Sequence, residues 1–446
     1  MKQSITHVSV VGLGKLGAPL AACLAHKGFT VVGVDLDESK VAALAAGRAP
    51  VYEPGLAALI AKNRERLSAT RDIQDAVQNS QATFVVVPTP SGADGAFSLR
   101  YVLPAMQAIG QALKHKADYH LISLTSTVMP GATGTQVLPM LEAESGKRVN
   151  ADFGLCYSPE FIALGSVIRD MLNPDFILIG QSDERAGNLL TGIYQRLCDN
   201  QPPIAPMTFV NAELTKIAVN TFVTTKISYA NMLAQVCENL PGADADVVTS
   251  ALGLDTRIGK KYLKGAIGYG GPCFPRDNVA FATLAQRVGT RALLAEATDQ
   301  TNRQQIERLA NVVRANLPAN GRAGILGLSY KPNTDVVEES QGVMLAQWLR
   351  AQGIETIVYD PAAMANAHRS LADKVHFAES AADCAAQADV IIITTPWDEF
   401  RQLEPDALNH SSQRKTVVDC WRILDRARFE SFVNYIALGI GPQNAL

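Results

Sequence analysis

Residues 268–277 read GYGGPCFPRD: three glycines and a proline lead into one cysteine, Cys273, and a proline, an arginine and Asp277 follow. Glycine lets a backbone approach another group closely, and proline stiffens the loop around it. Three chemistries fit a thiol in such a collar. It could be a small apolar filler in a buried turn. It could bind a metal, although no partner ligands lie near it in the sequence. It could be a nucleophile, because a thiolate is the strongest nucleophile that side chains offer near neutral pH.

A second group could hold a dinucleotide. Gly12, Gly14 and Gly17 form GxGxxG between the apolar run HVSVV and the helix-like APLAACLAHKG, with Leu13, Lys15 and Leu16 completing the turn. The glycines suit a tight turn, close approach of a pyrophosphate, and close helix packing. The helix N-terminus then favours phosphate charge. Asp35 closes TVVGVD about 20 residues on, where a carboxylate can accept ribose hydroxyls. It would repel a 2′-phosphate, so NAD is expected over NADP, with Lys40 tempering that preference. The competing reading is a glycine turn without a ligand. A third pair, Lys216 and Asn220, lies four residues apart in a long helical stretch and so shares one face. A cation and an amide there can stabilise an oxyanion, or form a solvated polar stripe.

The elements that must position these groups are legible from periodicity. HVSVVGLGKLG, APLAACLAHKG and TVVGVDLD give strand, turn, helix and strand, the first unit of a doubly wound sheet. ATFVVVPTP, HLISLTSTVMPG, FGLCYSPEF and DFILIG add strands, and NQPPIAP (200–206) punctuates the chain. Residues 211–240 run without glycine or proline up to Leu240, and 292–317 form a second helical stretch. Then RAGILGLSYKP, ETIVYDP and ADVIIITTP echo the first three strand motifs in order. The fold class is therefore α/β: two Rossmann-like doubly wound halves joined by a helical middle with a long helix. The second copy lacks the full glycine pattern and is expected to hold a different ligand.

The bulk properties exclude several classes. A chain of 446 residues, 47% hydrophobic, can build two or three cores. A net charge of −3 attracts neither nucleic acid nor an anionic membrane strongly. Seven scattered cysteines without a CxxC pair suit a reducing cytoplasm better than a disulfide framework, and dispersed histidines argue against a zinc site. No apolar run reaches transmembrane length, and the N-terminal run ends in glycines like a strand rather than a signal peptide.

At this point the sequence resembles the UDP-glucose/GDP-mannose dehydrogenase family over nearly its whole length. The resemblance rests on GLGKLG, VDLDESK, YEPGL (52–56), PTP (88–90), STVMPG (126–131), SPEF (158–161), AELTKIAVN, RIGKKYLKGAIGYGGPCFPRD (257–277) and LSYKPNTD (328–335). It implies a four-electron oxidation of a sugar C6 alcohol to a carboxylate, with two NAD per sugar. It implies Cys273 as nucleophile, Lys216 and Asn220 at the C6 oxyanion, Asp277 and Glu160 as candidate bases, and Thr127 holding a water. Thr89, Pro90 and Thr127 would lie against the cofactor. Phe161, Ile162 and Ala163 would line the uridine side. Tyr262, Leu263 and Gly268, Tyr269 and Gly270 would cover diphosphate and sugar, the glycines leaving room for it. Lys331 and Arg257 would bind phosphate, Arg257 across a subunit interface, with Arg422 as a further substrate contact. The implied domains are 1–203 for NAD, 204–300 for dimerisation and the cysteine, and 301–446 for the UDP-sugar. Leu164 stands where family members often carry an acid, Glu338 where they often carry arginine, and Trp421 within a segment that commonly reads DGRN. A β-hydroxyacid dehydrogenase would need no cysteine loop, and a non-enzymatic NAD-binding regulator would need none of the polar set.

Overall fold

The computed structural model describes residues 5–408 and 414–442. Its contacts divide the chain into two compact units, Met1–Ala218 and Val219–Leu446. The division falls inside the long helix Phe209–Glu238.

The first unit is built on eight strands: β1 (His7–Val11), β2 (Thr30–Val34), β3 (Leu67–Thr70), β4 (Ala82–Val85), β5 (His120–Leu124), β6 (Phe153–Tyr157), β7 (Ile177–Gln181) and β8 (Ile204–Met207). They lie in the order β3-β2-β1-β4-β5-β6-β7-β8. All neighbours are parallel except β6 and β7, which meet antiparallel. β1 pairs Val8 with Val31 on one side and Ala82 on the other. Both faces of such a sheet are covered, which is why HVSVV and ATFV read as apolar runs without alternation.

The second unit carries β9 (Ala323–Leu326), β10 (Thr356–Tyr359), β11 (His376–Phe377), β12 (Val390–Ile393), β13 (Thr416–Asp419) and β14 (Asn434–Ala437). Their order is β11-β10-β9-β12-β13-β14, all parallel. The first six strands of the first sheet follow the same doubly wound order. The sequence echoes map onto β1 and β9, β2 and β10, and β4 and β12.

The repeat extends to single atoms. Gly12 and Gly327 both have positive φ, 98° and 112°. A Cβ on Gly17 would stand 1.8 Å from Gly12 O, and one on Gly342 would stand 2.0 Å from Gly327 O. Asp35 Oδ2 accepts the Leu13 N–H at 2.7 Å, and Asp360 Oδ2 accepts the Leu328 N–H at 2.8 Å. The two acids differ in surroundings. Asp360 is buried, and its Oδ2 also accepts Ser329 N, Ser329 Oγ and the Trp397 indole N–H, while Oδ1 accepts Ala362 N and Ala363 N. A carboxylate so fully engaged has no lone pair left for a ribose.

Among the helices, Phe209–Glu238 stops short of the expected Leu240 because Asn239 and Leu240 close a turn onto Val236 O and Cys237 O ahead of Pro241. The second stretch is the helix Leu293–Asn316. No described helix is long and apolar enough to cross a membrane.

Candidate active site

In the first unit, loops at the carboxyl ends of β1, β4, β5 and β6 carry the expected residues. The Gly12 N–H donates to Val34 O at 2.7 Å, and a Cβ on Gly12 would lie 2.3 Å from Val86 O. Gly17 must be glycine to let its helix pack on the turn. Gly14 is different: a Cβ there would meet nothing within 4 Å. The first and third glycines thus serve the fold, and the second faces open space of the kind a pyrophosphate fills. Leu13 is buried under this turn, Leu16 packs on the core, and Lys15 is half-buried. Asp35 Oδ1 accepts Asp37 N at 2.9 Å, and Lys40 Nζ lies 3.4 Å from Asp35 Oδ2. The turn, the acid and the open middle glycine fit an NAD-type dinucleotide. Thr89 is buried and Pro90 half-buried after β4, and Thr127 is half-buried after β5.

The loop after β6 carries SPEF. Ser158 Oγ donates to Leu178 O at 2.9 Å and lies 2.9 Å from Tyr194 OH, which reaches Glu160 Oε1 at 3.5 Å. Burial pushes the Glu160 carboxyl up to about 7, against the opposing pull of the Lys216 charge and the Tyr194 hydroxyl. Lys216 Nζ donates to Glu160 O at 2.5 Å and stands 4.5 Å over the Phe161 ring. Phe161 contacts Phe176 at 4.7 Å between centroids. Ile162 and Leu164 pack on the core, while Ala163 is exposed and its N–H reaches Asp170 Oδ2 at 3.3 Å. Leu164, where an acid was the family expectation, is thus an apolar packing residue.

Two buried acids fix these loops, although nothing in the sequence of their segments YEPGL and AELTK marks them. Glu53 of YEPGL accepts Gly165 N at 2.9 Å and Val167 N at 2.8 Å. Glu213 of AELTK accepts Gly131 N at 2.5 Å and Thr133 N at 2.8 Å, tying the STVMPG loop to the start of the long helix.

In the second unit, Cys273 is the N-cap residue of the helix Phe274–Arg287. It is exposed, whereas Cys23, Cys156, Cys198, Cys237, Cys384 and Cys420 are buried, and burial pushes the Cys23, Cys198 and Cys384 thiols up to about 12. The unsatisfied N–H groups at a helix start favour negative charge developing on the thiol. Asp277 is fully buried one turn into this helix. Its Oδ2 accepts Asn220 Nδ2 at 2.6 Å, and its Oδ1 accepts Arg276 Nε and Nη2, each at 3.0 Å. Both oxygens accept bonds from the protein, and the one to Oδ2 holds the Asn220 amide in orientation.

The glycine collar departs from expectation. Its glycines make room for the protein's own chain. A Cβ on Gly270 would lie 2.1 Å from Glu339 O, and one on Gly271, at φ 86°, would lie 2.6 Å from the Tyr330 ring. One on Gly268 would meet Asn302 Oδ1 and Gln341 Oε1, each at 2.8 Å. The Gly271 N–H donates to Glu338 O at 3.0 Å, so Glu338 acts here through its backbone. Arg422 also departs. At φ 55° it forks onto Asp246, with Nε and Nη2 at 2.8 and 2.7 Å, and donates to Gly265 O and Leu438 O. Each guanidinium nitrogen donates to the protein, so the side chain is braced within this unit. Trp421 donates from its indole to Thr394 O at 2.9 Å. Arg257 is exposed and paired with Asp255 at 2.6 Å. Tyr262 is exposed at φ 64°, Leu263, Tyr269 and Gly270 are buried, and Lys331 is half-buried, 6.0 Å from the Tyr330 ring. No group of three or more His, Cys, Asp or Glu among the described residues could hold a metal.

Comparison with known proteins points to one family. Three models of the UDP-glucose/GDP-mannose dehydrogenase family match in order: the NAD binding domain over residues 6–198, the central domain over 210–304 and the UDP binding domain over 324–426. A UDP-glucose 6-dehydrogenase of Haloferax volcanii is 37% identical over 433 residues, covering 96% of this chain and 100% of that protein. A GDP-mannose 6-dehydrogenase of Pseudomonas aeruginosa is 32% identical over 357 residues, covering 79% and 80%. The solved UDP-glucose dehydrogenase of Pyrobaculum islandicum superposes with a TM-score of 0.89 at 34% identity, covering 98% of each chain. With an NAD-type turn in its first unit and an exposed thiol at a helix start in its second, this chain is an NAD-dependent oxidoreductase that belongs to the UDP-glucose/GDP-mannose dehydrogenase family.

Proposed function

We propose that the protein oxidises the C6 hydroxyl of a UDP-sugar, UDP-glucose, to the carboxylate of UDP-glucuronate through a covalent adduct on Cys273. The observation that carries this is the exposed Cys273 at the start of Phe274–Arg287, set against six buried cysteines. Overall, R–CH2OH and one water become R–COO−, two hydrides and three protons. NAD, when bound, takes up the hydride of each oxidation.

The protein's own groups divide the remaining work. Removal of the first hydride leaves an aldehyde, to which the Cys273 thiolate adds. The resulting thiohemiacetal loses the second hydride to become a thioester. Lys216 and Asn220 stabilise the C6 oxyanions, Asn220 being held in orientation by Asp277. Glu160 takes the proton of the water that releases the acid, with Thr127 as a second contact for that water, because a base with a pKa near the working pH is the efficient one. Phe161, Ile162 and Ala163 serve the uridine. Tyr262, Leu263, Lys331 and Arg257 serve the diphosphate and sugar. The relatives named for GDP-mannose favour, as a second reading, the same chemistry on another nucleotide sugar. The cytoplasm is the compartment that suits seven cysteines without a disulfide.

The proposal includes a homodimer through the long helix. Phe222 is 67% exposed, and Tyr229, Met232 and Val236 continue an exposed apolar stripe along the same helix. An exposed apolar stripe of this length marks a surface that needs a partner. NADH formed per mole of sugar, across UDP-glucose, UDP-N-acetylglucosamine, UDP-galactose and GDP-mannose, tests the function. Two per UDP-glucose supports it. One would indicate hydroxyacid-type chemistry, and none a regulator.

A further inference from the structure

The loop that carries Cys273 is rich in glycine at 268, 270 and 271, and such a backbone loses much conformational freedom when held in one shape. Something must hold it, and three buried asparagines do. Asn302, on the helix Leu293–Asn316, grips the backbone of Tyr269 at both ends: the Tyr269 N–H donates to Asn302 Oδ1 at 2.7 Å, and Asn302 Nδ2 donates to Tyr269 O at 2.9 Å. Its amide thereby does for one loop residue what a neighbouring strand does in a sheet. Asn231, on the long helix, repeats the pattern just upstream, accepting Ala266 N at 2.8 Å and donating to Ile267 O at 2.9 Å.

Asn278 closes the loop from the other side. Its Nδ2 lies 3.1 Å from Tyr269 OH, four residues before Cys273, and 3.1 Å from Phe274 O, one residue after it. The same amide exchanges hydrogen bonds with Thr224 Oγ1 at 2.9 and 3.2 Å. The Tyr269 ring meets the Phe274 ring edge-on, with centroids 6.1 Å apart. Tyr269 is therefore held at its backbone by Asn302 and at its phenol by Asn278. All three asparagines are at most 6% exposed, so no water competes for these bonds.

We infer that Asn302 and Asn278 are positioning residues for the Cys273 thiol, acting through Tyr269. They set where the thiol stands at the start of its helix, and a nucleophile displaced by about 1 Å loses on the order of 10²-fold in rate. The inference rests on Cys273 being the nucleophile, but its test need not.

The experiment uses the full chain and two readouts. The first is the rate of Cys273 alkylation by iodoacetamide, followed by mass spectrometry, which the six buried thiols do not obscure. The second is kcat and the KM for NAD. Asn302→Leu keeps the shape and removes the amide; Tyr269→Phe removes only the hydroxyl that Asn278 holds. Both variants are expected to change the alkylation rate several-fold and to lower kcat, by about 10²-fold for Asn302→Leu, with the KM for NAD within twofold. Asn302→Asp keeps the acceptor for the Tyr269 N–H and should recover part of kcat. A merely structural role would lower the melting temperature and leave both rates of the folded protein intact. Should Asn302→Leu fail to fold, Tyr269→Phe decides by the same two readouts. Parental alkylation and kcat within twofold in every folded variant would overturn the inference. An unmodified protein that alkylates at Cys273 but turns over no sugar would instead refute the proposed function, and the alkylation comparison would still decide this one.

Discussion

Glu160 gives the account a quantitative signature. Burial raises its carboxyl from 4.5 to about 7, while the Lys216 charge and the Tyr194 hydroxyl, 3.5 Å from Oε1, hold it from rising further. If Glu160 must be ionised to take a proton from water, its active fraction is about one tenth at pH 6 and about nine tenths at pH 8. Steady-state NADH formation should then rise about tenfold across that interval where hydrolysis limits turnover. Tyr194→Phe removes a group that favours the charged form, so the limb should move to higher pH. Glu160→Gln should lower kcat by about 10²-fold and abolish the limb. Stability reads the same shift without catalysis. The folded protein holds this proton more tightly than the unfolded chain, so stability falls as pH rises from about 4.5 through about 7. The full effect is at most roughly 3 kcal/mol. Glu160→Gln should therefore flatten that part of the curve of melting temperature against pH. A rate limb near 4.5, or one that persists in Glu160→Gln, would refute the assignment of Glu160 as the base.

Three further outcomes follow from the geometry. Asp35→Ala should narrow the preference for NAD over NADP by about tenfold, the worth of one charged hydrogen bond; equal kcat/KM for the two cofactors in the unmodified protein would contradict the role given to Asp35. Gly271→Ala places a Cβ 2.6 Å from the Tyr330 ring at φ 86°, so it should cost at least about 1–2 kcal/mol and lower kcat together with the melting temperature; an unchanged melting curve would show that the loop is not held as described. Phe222→Glu combined with Met232→Glu should shift the sedimentation mass toward the monomer at micromolar concentration, and an unmodified protein that is already monomeric would remove the dimer from the proposal.

Much of the fold was legible because parallel, doubly covered strands leave apolar runs that glycine turns punctuate. The repeat in HVSVVGLG and RAGILGLS, and in TVVGVD and ETIVYD, is the sequence signature of the two similar sheets. Gly12, Gly14 and Gly17 were legible for the same reason: a turn this tight admits few residues. The glycine collar was legible as a constraint but not in its cause, since nothing local announces that Tyr330 and Glu339 press against it. Arg422 shows the same limit. Its partners Asp246 and Gly265 lie far from it in sequence, so its side chain could be assigned to a ligand only by resemblance. Asn278 and Asn302 gave no signal, because a buried amide that bonds distant backbone has no periodicity and no motif. Glu53 and Glu213 lie inside YEPGL and AELTK, yet only the structure shows that they serve backbone N–H groups.

The central claim is that a thiolate at position 273 carries the sugar between the two oxidations. The most direct measurement is steady-state NADH formation from UDP-glucose by Cys273→Ser, which nearly keeps the volume but offers a far poorer nucleophile and leaving group. The account predicts a loss of at least about 10²- to 10³-fold, with a sugar ester accumulating at position 273 by mass spectrometry because an oxygen ester hydrolyses slowly. NADH formation within roughly tenfold of the unmodified enzyme would contradict the covalent mechanism.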